Sequence, residues 1–116
     1  MSVTTERSAV EAAATEYFDA WFDGDGERMA RVLHPDLCKR RVRESLAFVT
    51  REQMVEWTAA GEGVPEAVDR TLDVIVLDVY EGIASVRVRS ALYYEYLHLV
   101  QTDDGWKIAN ALYEQF

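Results

Sequence analysis

The fold is decided by the stretch from Arg70 to Tyr113, whose sequence is RTLDVIVLDVYEGIASVRVRSALYYEYLHLVQTDDGWKIANALY. Runs rich in valine, isoleucine, leucine and tyrosine are separated here by short turn sequences, a pattern that predicts β-strands joined by tight connections. Asp103-Asp104-Gly105 is the strongest hairpin signal. Because short turns join them, the strands are expected to pair antiparallel in one curved sheet. We place four strands at about these positions: Arg70 to Tyr80, Ile83 to Tyr93, Glu95 to Thr102 and Trp106 to Tyr113.

The residues before this stretch predict helices, of which the first is the longest. Apolar side chains recur at steps of three and four from about Glu6 to Asp23, as in an amphipathic helix, and Gly24 is a natural residue for its end. Ser8 with Glu11 matches a capping box at its start, with an upstream threonine as the alternative cap.

Two shorter helices follow. Asp25 is expected to cap a second helix that carries Leu33 on its buried side. The segment Thr50-Arg51-Glu52-Gln53 is a capping box that opens a third helix, which ends at Gly61. Between these two helices, the irregular pattern from Pro35 to Val49 predicts a loop with a short strand.

Size and charge limit what the protein can be. The chain has 116 residues, the size of one domain, so we expect a single domain over residues 1–116. Its formal net charge of -9 argues against nucleic-acid binding and against docking on an anionic membrane. Cys38 is the only cysteine, so no internal disulfide can form, and no charged-then-apolar leader pattern opens the sequence. We therefore expect a cytoplasmic protein.

Helices followed by strands indicate an α+β fold rather than alternating α/β units. Three helices packed on one face of a strongly curved antiparallel sheet form a cone, with a pocket between the first helix, the third helix and the concave side of the sheet. Both faces of the later strands are rich in apolar residues, whereas a sheet with one solvated face should be polar on that side. This pattern predicts a homodimer through the convex face of the sheet.

The order of motifs resembles the nuclear-transport-factor-2-like superfamily, and within it the SnoaL-like and lumazine-binding-like branch. The matching segments cover almost the whole chain: Tyr17 to Asp25, His34 to Arg41, Ile83 to Val88, Tyr96 to Val100 and Asp104 to Asn110. The resemblance implies the cone-shaped, cystatin-like fold. Its members include isomerases, dehydratases, cyclases and transport factors, so the fold alone does not give the chemistry.

Two histidines are the candidate catalytic acid–base groups, because their side chains titrate near neutral pH. The resemblance places His34 near the pocket or at the base of the cone; the alternative is that it binds a neighbouring backbone group. His98 lies in a strand with apolar faces, either in the pocket or at an interface. Asp73 and Asp78 fall on opposite faces of the first predicted strand, so either carboxylate can face the pocket.

Aromatic and polar side chains form the candidate ligand-binding set. One cluster of basic residues is present, and we expect its Arg40 side chain to point into the pocket; the cluster consists of Lys39, Arg40, Arg41 and Arg43. The alternative is that the whole cluster lies in solvent and pairs with nearby acidic residues. Asn110 falls on the same strand face as Trp106 and Ile108, where it either binds ligand or ties down a neighbouring strand. The aromatic members either stack on a flat ligand or fill the core. The full set is Tyr17, Trp21, Arg40, Trp57, Tyr94, Tyr96 and Asn110.

Three functional classes are compatible with the sequence. The first is a protein that binds a small, partly aromatic or anionic molecule without transforming it. The second is an isomerase, dehydratase or cyclase that uses general acid–base chemistry, and the third is a dimerising module with a vestigial pocket. No cofactor is predicted, and no metal site either, since neither an HxH nor an HExxH spacing is present.

Overall fold

The computed structural model describes residues 3–42 and 46–116. Within these ranges, helices and strands follow one another in this order: α1 (Val3–Asp23), α2 (Gly26–Val32), β1 (Leu33–Val42), β2 (Leu46–Val49), α3 (Arg51–Ala59), a 3₁₀ helix (Val64–Val68), β3 (Leu72–Tyr80), β4 (Ile83–Ser90), β5 (Tyr93–Thr102) and β6 (Gly105–Gln115). The α+β class is confirmed, although β1 and β2 precede α3, so the predicted order of helices before strands holds only for β3 to β6. No helix among the described residues has the length and apolar content that crossing a membrane requires.

The strands form one sheet in the order β2-β1-β6-β5-β4-β3. The four C-terminal strands pair antiparallel, as predicted, while β1 runs parallel to β6. The prediction of a loop with a short strand from Pro35 to Val49 is wrong, because β1 and β2 are two paired strands in this region. Pro35 lies where the pairing of β1 with β6 shifts register between Leu33 and Cys38, a position at which a strand tolerates the missing N–H.

The ends of the helices test the capping predictions. Thr50 is confirmed as the cap of α3: its hydroxyl accepts from the Gln53 N–H at 3.2 Å, and its own N–H donates to the Gln53 side chain at 2.9 Å. Gly24, with φ of 66°, follows the end of α1 as predicted. The proposed capping box at Ser8 and Glu11 is wrong, because α1 already begins at Val3 and both residues lie inside it.

The second helix is shorter than predicted. Asp25 caps α2 as expected, accepting from the Arg28 N–H at 3.1 Å. The helix ends at Val32, however, and Leu33 begins β1 with its side chain buried. Pro35 explains this early end, because the residue before a proline is driven toward extended backbone and α2 cannot continue through it.

The core lies between the helices and the concave face of the sheet. Val10 and Phe18 of α1 pack there, together with strand residues such as Val86, Leu97 and Ile108, all of which are buried. The opposite face of the sheet, which we term the outer face, carries exposed apolar side chains at these positions: Ile75, Leu77, Tyr80, Ile83, Tyr96 and Leu112. The helices thus cover one face of the sheet only.

One extra residue changes the alternation of side chains in β6. His98 pairs with Asn110, but the next residue of β5, Leu99, pairs with Ile108, so Ala109 has no partner of its own. A bulge of this kind reverses which residues face the core beyond it. The prediction that Asn110 shares a face with Ile108 is therefore wrong, and Asn110 lies on the outer face.

A similar shift in β3 affects the two aspartates. Pairing with β4 changes register between Val76 and Asp78, so that Leu77 is the extra residue. Asp73 and Asp78 are both exposed on the outer face, and Asp73 pairs with Arg87 there at 3.3 Å. The prediction that one of the two aspartates faces the pocket is wrong.

Candidate ligand-binding site

A cavity of about 240 Å³ opens at the end of the cone where α1, α3 and the 3₁₀ helix meet β1, β5 and β6. Aromatic rings form much of its wall, and charged side chains of both signs reach it. Its lining consists of Tyr17, Phe18, Trp21, Lys39, Arg41, Met54, Trp57, Glu62, Glu66, Tyr93, Glu95, Tyr113 and Gln115. A concave site in which aromatic walls meet converging polar groups is a common form of a small-molecule site, and the polar share of the lining is high here.

Three buried polar side chains from three different elements form a chain at this cavity. The Lys39 ammonium of β1 donates to the Tyr17 hydroxyl of α1. That hydroxyl in turn donates to Oε1 of Glu95, on β5, at 3.0 Å. Lys39 Nζ and Glu95 Oε1 are 4.0 Å apart, so the tyrosine joins a cation and an anion that do not bond directly.

The folding of each strand places these groups inward. Glu95 lies on the same side of β5 as Leu97 and Leu99, which are buried, and Lys39 is two residues beyond buried Leu37 in β1. A charged side chain in such a series is costly to bury unless it is paired and hydrogen-bonded. The Lys39–Tyr17–Glu95 chain meets that requirement.

Burial sets the protonation of this chain. It raises the pKa of the Glu95 carboxyl above its usual range, and the Lys39 charge and the Tyr17 hydroxyl offset that rise only in part. Burial lowers the pKa of the Lys39 ammonium, against the attraction of Glu95 and Glu66. The pKa of Tyr17 lies well above that of a free tyrosine, because the ring is buried and faces the Glu95 charge. Both ionisable groups thus move toward their neutral forms.

Glu66 of the 3₁₀ helix fixes two of the aromatic walls. One of its carboxylate oxygens accepts from the Trp21 indole N–H at 2.8 Å, and the other accepts from the Tyr93 hydroxyl at 2.9 Å. Tyr93 in turn meets Tyr113 edge to face, with ring centroids 5.8 Å apart. Because these hydrogen bonds and the ring contact fix the positions of Trp21, Tyr93 and Tyr113, the rings present a preformed surface to a ligand.

Gly63 allows the 3₁₀ segment to approach α1 closely enough for this contact. A Cβ at position 63 would lie 2.4 Å from the Trp21 carbonyl oxygen and 2.6 Å from two of its indole carbons. No side chain other than hydrogen fits there without moving α1 or the indole.

Arg41 has unused hydrogen-bonding capacity at the cavity. It follows Lys39 by two residues in β1 and lines the cavity with it. Its buried Nε has no hydrogen-bond partner within residues 3–42 and 46–116. Because buried polar atoms are nearly always paired, an N–H without an acceptor among the described residues marks Arg41 as a candidate contact for a ligand.

Three of the predicted ligand-binding residues, Tyr17, Trp21 and Trp57, meet at the cavity. Trp57 lies at the mouth with 37% of its surface exposed. The prediction that Arg40 points inward is wrong: its side chain is exposed and its guanidinium lies 5.6 Å from the centre of the Phe48 ring. Successive residues of a strand point to opposite faces, and here the alternation sends Lys39 and Arg41 inward. Arg43 of the basic cluster lies outside the described residues.

The other predicted residues lie away from the cavity. Tyr94, Tyr96, His98 and Asn110 are on the outer face of the sheet, where Asn110 Nδ2 is 3.3 Å from His98 Nδ1. His34 Nδ1 accepts from the Asp36 backbone N–H at 3.0 Å, which is the backbone contact foreseen as the alternative. Catalysis by either histidine stays a prediction, and neither His34 nor His98 lines the cavity.

Sequence reasoning missed the acidic half of the site. Glu95 is absent from the predicted site residues, although its alternation with Leu97 and Leu99 already marks it as a carboxylate on an apolar face. Glu66 carries no such signal, since its role depends on how the 3₁₀ helix docks. Among residues 3–42 and 46–116, no three histidine, cysteine or carboxylate side chains are grouped as a metal would require.

Comparison with known proteins gives the family to which the chain belongs. The profile of the family described as "Putative lumazine-binding" matches residues 5–114. A search among curated proteins gives no match. An NTF2-like protein of unknown function from Silicibacter pomeroyi is 16% identical, with a TM-score of 0.80 over 100% of both chains. One from Methylobacillus flagellatus is 19% identical, with a TM-score of 0.73 over 100% of this chain and 95% of that one.

A third structure, an NTF2-like protein with a cystatin-like fold from Novosphingobium aromaticivorans, is 14% identical, with a TM-score of 0.74 over 98% of this chain and 84% of that one. Identities this low establish the fold alone, and that fold is the predicted cone. Since the family profile spans residues 5–114, the chain belongs to the family described as "Putative lumazine-binding".

Proposed function

We propose that this protein binds a small molecule with a flat, partly aromatic body and an anionic or carbonyl oxygen. The observation that carries this role is the buried Lys39–Tyr17–Glu95 chain at a cavity walled by aromatic rings. Burying a cation and an anion costs folding free energy that apolar residues would not cost. Such groups are characteristic of sites that recognise a ligand rather than of a core built for stability.

The arrangement of groups defines the ligand class. Tyr93 and Tyr113 offer ring faces and edges for stacking. Lys39 and Arg41 bring two hydrogen-bond donors to a cavity within a chain whose net charge is -9, and the Arg41 N–H described above has no acceptor among the described residues. A carboxylate or carbonyl oxygen on the ligand would supply that acceptor.

The size of the cavity limits the ligand. A volume of about 240 Å³ lies below the range that begins at about 300 Å³ for pockets that take drug-sized molecules. The ligand is therefore expected to be a single ring system with short substituents. An open cavity of this size also favours ligand binding over a vestigial pocket filled by its own side chains.

Acid–base catalysis is the second candidate, and Glu95 favours it. A carboxyl group whose pKa is raised by burial, beside an open cavity, can hold a proton near neutral pH and release it to a substrate. An isomerase, dehydratase or cyclase reaction would use such a group. Turnover of a bound compound that is lost in Glu95→Gln while binding persists would identify this second role.

Adjacent arginines provide a matched test of ligand binding. We expect small aromatic carboxylates to raise the melting temperature saturably, since a ligand at a hundred times its Kd stabilises the native state by about 2.7 kcal/mol. Arg41→Gln should remove most of this shift, whereas Arg40→Gln, one residue away on the outer face, should retain it. Equal shifts in the two variants, or no shift from any compound of this class, would contradict the proposed role.

We further propose that the protein forms a homodimer through the outer face. Ile83 and Tyr80, on either side of the turn between β3 and β4, are 59% and 70% exposed on the outer face, where a solvated face would carry polar residues. A second copy would present the same apolar set and bury it. Light scattering should give the mass of two chains for the wild type and of one chain for Ile83→Asp.

Val68→Asp is the control for this assembly. Val68 is 93% exposed on the 3₁₀ helix, so the same substitution there should leave a dimer intact. A wild type with the mass of one chain, or equal effects of the two substitutions, would reject the dimer. For the compartment we retain the cytoplasm as a proposal, since Cys38 is a free thiol.

A further inference from the structure

We propose that Lys39 is a reactive amine that forms an imine with small aromatic aldehydes or ketones bound in the cavity. This inference rests on the proposed ligand-binding role of the same cavity and adds the chemical class of its ligands. Imine formation requires an unprotonated amine in contact with the carbonyl carbon, a proton acceptor for the amine and a proton donor for the departing oxygen. The described residues supply each of these.

The surroundings of Lys39 Nζ favour the unprotonated amine. Its side chain is 8% exposed, and the Met54 sulfur, 3.6 Å from Nζ, is only a weak acceptor. Glu95 is at 4.0 Å, too far for a direct hydrogen bond that would hold the ammonium form. The Tyr113 ring, 4.6 Å from Nζ, opposes this by attracting the ammonium, whereas burial lowers the pKa of the amine. A buried lysine whose counter-ion is not bonded to it directly is a site where a lysine becomes a nucleophile.

Tyr17 provides a route by which the proton leaves. The Lys39 ammonium donates to the Tyr17 oxygen, and the Tyr17 hydroxyl donates to Glu95 Oε1. A shift of one proton along each bond converts the ammonium and carboxylate into an amine and a carboxylic acid, with the tyrosine unchanged. Burial raises the pKa of Glu95, which suits the carboxyl group to hold that proton.

The reaction balances with these groups alone. The amine nitrogen attacks the carbonyl carbon, the C=O π electrons move to oxygen, and a proton passes from nitrogen to that oxygen to give a carbinolamine. Glu95 then returns its proton through Tyr17 to the hydroxyl group, which leaves as water while the nitrogen lone pair forms C=N. The products are a protonated imine, the Glu95 carboxylate and one water.

The sequence offers an internal control, because Lys39 and Lys107 are its two lysines. Lys107 is on β6 near the surface, where its ammonium donates to the Arg31 carbonyl oxygen. A general labelling reaction would modify Lys107 at least as fast as Lys39. Selective labelling of the buried lysine therefore measures reactivity that the cavity confers.

The test uses 4-formylbenzoate, a small aromatic aldehyde with a carboxylate, and borohydride to reduce any imine to a stable amine. After reaction of the intact protein at pH 7, peptide mass spectrometry locates the label. We expect Lys39 to be labelled severalfold faster than Lys107, since burial lowers the pKa of Lys39 and so increases its fraction of free amine. Lys39→Arg should remove this label, Lys107→Arg should retain it, and Tyr17→Phe should slow it severalfold.

Equal labelling of the two lysines in the folded wild type would overturn the inference, whether or not Lys39→Arg folds. Terephthalate, which has a carboxylate in place of the aldehyde, separates this outcome from failure of the binding role. If terephthalate raises the melting temperature and 4-formylbenzoate leaves Lys39 unlabelled, the cavity binds ligands but the imine is refuted. If neither compound binds nor labels, both proposals are refuted for this class of ligand.

Discussion

Replacement of Tyr17 by phenylalanine removes one hydroxyl group from the centre of the cavity and leaves the packing of the ring in place. The ring is buried, 5.0 Å from that of Phe18, so Tyr17→Phe creates little new space. The lost hydroxyl bonds to two ionisable groups, Lys39 and Glu95. The substitution thus isolates the value of the polar chain from that of hydrophobic burial.

The expected loss follows from those two bonds. Hydrogen bonds to charged groups contribute about 1.5–3 kcal/mol each. Lys39 and Glu95 are 4.0 Å apart and can pair directly once the hydroxyl is gone, which recovers about the value of one bond. We expect the free energy of unfolding to fall by about 1.5–3 kcal/mol. In a domain of this size the melting temperature should fall by roughly 6–12 °C.

Urea denaturation followed by tryptophan fluorescence measures this loss, with Tyr80→Phe as the matched control. Tyr80 is largely exposed on the outer face, so the same change there should alter stability by less than about 0.5 kcal/mol. If Tyr17→Phe costs no more than Tyr80→Phe, the polar chain does not stabilise the native state and the reasoning fails.

Three further predictions test other parts of the structure. Gly63→Ala should cost about 1–3 kcal/mol of stability by thermal denaturation, because its Cβ would overlap Trp21, whereas Gly82→Ala meets only an ordinary 3.7 Å contact and should cost less. Thr50→Ala should lower the free energy of unfolding by about 0.5–2 kcal/mol, because it removes the cap of α3. Ser8→Ala, inside α1, should leave the free energy of unfolding unchanged. A larger loss for Ser8→Ala than for Thr50→Ala would mean that Ser8 does cap α1. The folded protein holds a proton on Glu95 above the ordinary pKa of 4.5, so this group's contribution to stability falls as pH rises from about 4.5 through its folded pKa. Denaturation of the wild type and Glu95→Gln across that range should show the wild type losing stability relative to the variant, and a relative gain would place the pKa shift of Glu95 in the opposite direction.

The helices and the antiparallel strands could be predicted from sequence because their signals are local. The Thr50 capping box and the Gly24 helix end depend on neighbouring residues, and both are confirmed. β1 was missed because its partner, β6, is far along the chain and its own sequence is broken by Pro35 and a run of basic residues. Pairing between distant segments leaves no local pattern to count.

Only those residues of the candidate site whose orientation follows from local sequence could be predicted. Tyr17 and Trp21 were found because the face of a regular helix follows from its periodicity. The wrong prediction of Arg40 instead of Lys39 and Arg41 has a different origin. Alternation along a strand shows that neighbouring side chains point to opposite faces, but it does not show which face is the inner one. The direction is fixed by β6 beside them, and that contact is visible only in three dimensions.

The unpaired Ala109 makes the composition of the cavity insensitive to the loss of one residue from β6. Before it, β6 contributes Trp106 and Ile108 to the core; after it, Tyr113 and Gln115 face the cavity and Leu112 faces outward. Deletion of Ala109 would restore simple alternation and leave Tyr113 and Gln115 facing the cavity, because Ile108 and Asn110 already lie on opposite faces of the sheet. A strand that kept Ala109 and paired it regularly would instead turn Leu112 and Glu114 toward the cavity. The bulge therefore absorbs one residue of strand length without exchanging the wall of the cavity. Relatives with the same sheet can in this way lose the codon for this residue and keep the chemistry of the pocket.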